Sequence, residues 1–348
     1  MMYKVTYKID SDNIEAAAHA IAIGQSIGNP SIKTEYDNYS HAAEILSIEK
    51  DEVVNADGTL SDKGNEVVIG YQYKNLNSVR DVAQMLCTIQ GGQSDINVMT
   101  SCRVVDIKIN IPGKIIRWKL PTNRPLVGGI VKPKTGLSKN QLTDIIRRMC
   151  DGGIDWIKED EILGDPSYFP FEERAYIASE VLKDYPNVMY CLCANGSPIK
   201  LLENYEIASL VNLGVHTNIW SGLGSYYGPH KVFQHFQRSG VRTITDPRNP
   251  YGIDWHVLVK LAILQDVDSI HVGMLGGYYP ESKDEVLKAI ELCQNHRVIP
   301  TLSCGMNPEI AQKIQDQIGN NWMACVGGWF YDGDITENVK KMRKAFEN

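Results

Sequence analysis

Apolar and polar positions alternate with a period of two over residues 3–9 (Tyr-Lys-Val-Thr-Tyr-Lys-Ile), which predicts a strand. Asn13 to Gly24 is alanine-rich, repeats at helical spacing and ends on glycine, which predicts a helix. Strand-like runs near 43–48 and 66–73, a helical run near 78–88 and a further strand near 101–110 complete a βαββαβ order. That order is expected of a small ferredoxin-like α+β domain. Pro112 to Arg124 holds two prolines and no clear period and reads as a linker, so the chain divides into residues 1–115 and 116–348. Past the linker, short continuous apolar runs alternate with helix-like segments: Leu126–Val131, Trp156–Lys158, Val188–Cys193, His216–Trp220, Val241–Thr245, Ser269–Val272, Ile299–Leu302 and Met323–Val326. Eight such runs fit an α/β fold of the (β/α)8 TIM barrel type, whose strands are buried on both faces.

Barrels of this kind bind substrate at the carboxyl ends of their strands, so the polar residues after each run are the candidates. The second run ends in Lys158-Glu-Asp160-Glu161. Asp160 and Glu161 form a hard oxygen pair suited to Mg2+, which takes one or two carboxylates together with substrate oxygens and water. A third anionic ligand would arise if the Lys158 amine captured CO2 as a carbamate, neighbouring cations and partial burial lowering its pKa enough to expose the nucleophile. The competing reading is a solvated strand end with local ion pairs. Lys132 and Lys134 flank Pro133 after the first run, where a lysine beside a metal-bound carbonyl can act as general acid or base. A surface Lys-Pro-Lys turn is the alternative. Ser303-Cys-Gly305 and Gly327-Gly328 follow the seventh and eighth runs, where backbone N–H groups of barrels often hold phosphate, though plain turns would read the same. His271 on the sixth run would contact a second phosphate or a substrate oxygen, or else sit satisfied in the core.

Composition narrows the partners. A formal net charge of −7 and the absence of a basic block argue against nucleic acid. No run of about 18 apolar residues occurs and residues 1–20 are too polar for a signal peptide, so a cytoplasmic protein without a membrane partner is expected. The scattered cysteines, including Cys191-Leu-Cys193 in a strand-like run, read as reduced core residues. Neither a Gly-x-Gly-x-x-Gly fingerprint nor a Walker loop is present, which argues against nicotinamide dinucleotide and ATP.

Gly-Ile-Val-Lys-Pro-Lys-Thr-Gly-Leu-Ser (129–138) resembles the first-strand signature of the ribulose-bisphosphate carboxylase (RuBisCO) large-subunit superfamily, and Gly153-Ile-Asp-Trp-Ile-Lys-Glu-Asp-Glu161 resembles its carbamate and magnesium signature. The resemblance covers most of the chain. It implies Lys158 as the carbamylated ligand, Asp160 and Glu161 as the other metal ligands, and Lys132 as the proton-transfer lysine with Lys134 in support. Ser303, Gly305, Gly327 and Gly328 would lie along the substrate and its phosphate, His271 would precede the mobile sixth loop, and Asn29 would match an amino-terminal phosphate contact. It further implies a homodimer with the active site at the subunit interface, Asn29 acting in trans.

Departures from the pattern set the subtype. The sixth loop, His271-Val-Gly-Met-Leu-Gly-Gly-Tyr-Tyr-Pro280, has Tyr278 nearest the position of the carboxylase lysine, and Gly24 or Gln25 falls where its glutamate partner is expected. Loss of both halves of an ion pair is coherent, since either charge left alone would be unpaired on closure. The His-Arg pair expected after strand five is replaced by Thr245-Asp246-Pro-Arg248-Asn249, leaving Arg248 as the candidate for an anionic tail. A RuBisCO-like protein of the form IV type is therefore expected: an enolase or isomerase acting on a phosphorylated ketose or keto sugar with Mg2+ and a carbamylated lysine. A decarboxylase or hydrolase of a phosphorylated 3-oxo sugar acid ranks second and a genuine carboxylase third. A metabolite sensor or scaffold is the non-enzyme reading.

Overall fold

The computed structural model describes residues 1–28, 33–50, 52–54, 60–62, 64–83, 96–118, 123–223, 231–278 and 281–347. They form two compact units, one of Met1–Pro112 with Val241–Leu264, the other of Gly113–Gly240 with Gln265–Asn348.

In the first unit, strands β1 (Met2–Asp10), β2 (Glu44–Glu49), β5 (Asn65–Gln72) and β6 (Ser101–Lys108) form an antiparallel sheet in the order β2-β5-β1-β6, while β3 (Glu52–Val54) and β4 (Leu60–Asp62) make a separate hairpin. This is the small α+β domain the alternation predicts. Asn13 caps the first helix, Ile14–Gly24, by accepting from the Ala16 N–H, and the helix buries its alanine-rich face. The helix expected near 78–88 starts as a 3₁₀ turn at Val79–Asp81 capped by Ser78, and residues 84–90 lie outside the described residues. Helix Trp255–Leu264 belongs to this unit. It is apolar on almost every side, and Lys260 Nζ reaches Asp106 Oδ1 on β6 at 2.5 Å.

The second unit is a closed parallel barrel of β7 (Leu126–Ile130), β8 (Trp156–Lys158), β9 (Met189–Cys193), β10 (Gly214–Asn218), β11 (Gln234–Gln237), β12 (Ser269–Gly273), β13 (Ile299–Leu302) and β14 (Met323–Val326). The expectation for the fifth strand is corrected. Val241–Thr245 is not a strand; its last four residues form a short helix, and the fifth strand is Gln234–Gln237. The inward side of that strand is polar, which breaks the continuous apolar run a buried parallel strand normally shows, whereas the β-branched residues of 241–245 imitate one. Leu126, Trp156, Cys191, Phe233, Ile299, Met323 and Cys325 plug the barrel interior. The indole needs Gly128 opposite it, because a Cβ there would stand 2.9 Å from the Trp156 ring. Above this plug the interior turns polar, and that change of character locates the site.

Candidate active site

Strand alternation decides where each residue of Lys158-Glu-Asp160-Glu161 goes. Trp156 faces the interior plug, so Lys158 two residues on faces the interior as well, and Glu159 turns outward to the helix layer. There it meets Arg174 of helix Phe171–Leu182: Nε donates to Glu159 Oε1 at 2.8 Å, Nη2 to Oε2 at 3.2 Å, and the Cys193 N–H adds a third bond at 2.8 Å. Both partners are about 1% exposed, and Arg174 also ties down the Gly164 and Phe169 carbonyls of the following loop. Glu159 is thereby a structural carboxylate that fixes the backbone between Lys158 and Asp160.

Inside the barrel mouth stand two lysine–carboxylate pairs. Lys158 Nζ donates to Glu161 Oε2 at 2.9 Å and to the Glu159 carbonyl at 2.9 Å, and Lys132 Nζ donates to Asp160 Oδ2 at 2.6 Å. Lys158 and Asp160 are each 2% exposed. Burial works against the Lys158 ammonium, but the attraction of the Glu161 carboxylate outweighs it and pushes the pKa up. Burial likewise works against the Glu161 carboxylate, and the attraction of Lys158 outweighs it and holds its pKa down. The expectation that neighbouring cations depress Lys158 is corrected: its dominant neighbour is a carboxylate.

The Lys132 backbone N–H donates to the Tyr331 hydroxyl at 2.8 Å, which in turn donates to the Ile130 carbonyl at 3.1 Å, so the first strand end is pinned by the segment after the eighth strand. Gly327 lies beside it, a built Cβ falling 3.9 Å from Lys132 Cε, and Gly328 opens onto free space. His271 Nε2 and Ser303 Oγ are 2.6 Å apart, joining the sixth and seventh strand ends. Gly305 has φ +93° and would press a Cβ to 3.0 Å from the Tyr278 ring. Lys134 is exposed on the turn after Pro133.

Among the described residues no three His, Cys, Asp or Glu side chains gather closely enough to hold a metal ion. The donor set nevertheless fits one after modification of Lys158. As they stand, the two ammonium and two carboxylate groups balance. Replacing the Lys158 ammonium by a carbamate supplies a third anionic oxygen donor and leaves two net negative charges, which a divalent cation neutralises.

The model for the ribulose bisphosphate carboxylase large chain, catalytic domain, matches residues 114–188. Over 250 residues the chain is 31% identical to an uncharacterized ribulose bisphosphate carboxylase-like protein of Bordetella bronchiseptica, a match spanning 64% of this chain and 58% of that relative. It is 27% identical over 346 residues to a 2,3-diketo-5-methylthiopentyl-1-phosphate enolase of Microcystis aeruginosa (92% of this chain, 86% of the relative). It is 26% identical over 329 residues to a 3-oxo-isoapionate-4-phosphate decarboxylase of Rhizobium rhizogenes (84% and 77%). The fold matches that of the octameric RuBisCO of Pyrococcus horikoshii with a TM-score of 0.83 at 20% identity, over 99% of this chain and 87% of that one. The chain is thus similar to RuBisCO large chains and to RuBisCO-like proteins, and it spans 58% of the length of the 31%-identical relative.

Within that family frame two site expectations change. With the fifth strand at Gln234–Gln237, the residues at its carboxyl end are Gln237 and Arg238, so the arginine expected there is present as Arg238 and the histidine is replaced by Gln237. Arg238 Nη1 bonds Glu281 at 2.5 Å and the Val272 carbonyl at 3.1 Å. Arg248 does not follow a barrel strand at all. It lies in the segment grouped with the first unit, its side chain 89% exposed and paired with Asp246. Asn29 lies outside the described residues. No helix among the described residues is long and apolar enough to cross a membrane.

Proposed function

We propose that this RuBisCO-like chain catalyses Mg2+-dependent enolisation of a phosphorylated ketose or keto sugar, with Lys158 as its carbamate, Asp160 and Glu161 as the chain's metal ligands. The observation that carries the reading is the pair of crossed lysine–carboxylate contacts at the mouth of a closed barrel. Mg2+ held there would supply Lewis-acid polarisation of a substrate carbonyl. The chain's own residues do the rest. Lys132, pinned through Tyr331, or the carbamate of Lys158 takes the proton next to the carbonyl and returns it. Lys134 supports Lys132 at the rim. The backbone at Gly305, Gly327 and Gly328 receives the phosphate, and the hydrogen-bonded pair His271 and Ser303 orients a substrate oxygen. Likeness over most of the chain to a named enolase supports this reaction, and likeness to a 3-oxo-isoapionate-4-phosphate decarboxylase supports decarboxylation of a phosphorylated 3-oxo sugar acid as the second. We place the working form in the cytoplasm as a homodimer with Asn29 contributed in trans.

Solvent deuterium incorporation by NMR, across a panel of phosphorylated ketoses and keto acids, tests the proposal. Exchange that requires Mg2+, bicarbonate, Lys132 and Lys158 is the expected result. Exchange that persists in Lys158→Ala, or its absence across the panel, contradicts it.

A further inference from the structure

One buried polar side chain at the barrel mouth has no role in the arrangement above. His216 on β10 is 0% exposed, and neither of its ring nitrogens completes a well-aligned hydrogen bond. Its neighbour across the strands, His235, uses both: Nδ1 meets Ser269 Oγ at 2.7 Å and Nε2 meets Gln237 Oε1 at 3.3 Å. A buried donor without a well-aligned partner is costly and uncommon, so the vacancy at His216 calls for a group that is sometimes there.

Register aims the ring at Lys158. His216 pairs with Cys193 on β9, Cys193 lies two residues beyond Cys191, and Cys191 pairs with Lys158 on β8. Two-residue alternation therefore turns His216, Cys193, Cys191 and Lys158 all to the interior. The Glu159 carbonyl that accepts from Lys158 Nζ also interacts with the imidazole, but short of a well-aligned hydrogen bond. In either protonation state the imidazole carries at least one N–H, and an ammonium, with donors only, offers that N–H nothing. A carbamate on the same nitrogen offers two oxygens.

We propose that His216 is a positioning residue for carbamylated Lys158, donating a ring N–H to a carbamate oxygen and so favouring the carbamate over the free amine. The inference rests on the assignment of Lys158 above. In the covalent step the Lys158 ammonium first gives one proton to water, the nitrogen lone pair so exposed bonds the carbon of CO2, one C–O electron pair moves onto oxygen, and a second proton leaves nitrogen for water. His216 forms no covalent bond.

The test measures carbamate on Lys158 against CO2 concentration at saturating Mg2+, trapping it by alkylation and locating it by peptide mass spectrometry. His216→Leu should need about tenfold more CO2 for half occupancy, the order of effect of a hydrogen bond to a charged group. One of His216→Asn and His216→Gln, which place an amide N–H near the reach of Nδ1 and Nε2, should stay within about threefold of the native chain by the same reasoning. Thermal melting without CO2 supplies a second readout: removing an imidazole that lacks a well-aligned partner should leave the melting temperature unchanged or raise it. An unaltered CO2 requirement in His216→Leu, with carbamate present in the native chain, overturns this inference alone. A lower melting temperature of that variant without CO2 marks a structural histidine and also overturns it. No carbamate in the native chain at any CO2 level removes the assignment of Lys158 and the inference together.

Discussion

Replacing Arg174 by methionine strips the counter-charge from Glu159 while keeping much of the packing volume. Glu159 is left about 1% exposed with only the Cys193 N–H at 2.8 Å and the Tyr190 hydroxyl at 3.3 Å, and the Gly164 and Phe169 carbonyls lose their donor. Breaking one side of a buried ion pair costs about 3–5 kcal/mol. Urea unfolding followed by tryptophan fluorescence reports on this unit through the buried Trp156. With a slope on the order of 3 kcal/mol per M urea, the midpoint should fall by roughly 1 M or more. Glu159→Gln alone should cost a similar amount by stranding the guanidinium, and the double variant should cost about 2 kcal/mol or more less than the two single losses together, because contacting residues do not act additively. Since Glu159 joins Lys158 to Asp160, the single variants should also bind Mg2+ more weakly. Additive losses, or a single loss under about 1 kcal/mol, would refute the assignment of Glu159 as the buried anchor of the strand that ends in Lys158.

Other expectations are independent of that pair. Burial acts to raise the Asp106 pKa, but His256 at 3.6 Å and Lys260 at 2.5 Å outweigh it and hold it below the usual carboxylate range. A carboxylate depressed in the folded state stabilises above its unfolded value of about 4 and loses that contribution as pH falls through the folded value. Asp106→Asn should therefore flatten the acid limb of stability measured from pH 6 downward, and an unchanged limb would show that other groups govern it. Cys304 is exposed at the end of the seventh strand, whereas burial pushes Cys102, Cys150 and Cys325 up to about 12. Cys304→Ser should remove one equivalent of fast-reacting thiol from a native titration with a disulfide reagent, and no loss of fast thiol would contradict the exposure.

The parts of the molecule that could be read from sequence are those where local chemistry and strand period agree. Lys158, Asp160 and Glu161 stand at the end of an apolar run, and charges in that position are expensive unless used. The His271 and Ser303 contact was not legible as a pair, although each residue followed its strand, because the register that brings them within 2.6 Å depends on the barrel's closure. The fifth strand escaped because His235 and Gln237 face the interior, so the residues that make the mouth polar also erase the apolar run that would mark the strand. Arg238 is hidden with it, and the imitation strand at 241–245 points to Arg248 instead. Glu159 looked like one more acid in an acidic run, and only the helix carrying Arg174, fifteen residues later, separates its role from those of its neighbours. His216 carried no signal at all in sequence, since what distinguishes it is the absence of a well-aligned partner inside the barrel.

Titration calorimetry of Mg2+ with and without bicarbonate tests the central claim most directly, because the site as it stands is charge-balanced and gains a third anionic ligand only when Lys158 takes up CO2. The account predicts weak Mg2+ binding without bicarbonate, a marked gain with it, and no gain in Lys158→Ala. Tight Mg2+ binding that ignores bicarbonate, or a bicarbonate response that survives loss of Lys158, would contradict it.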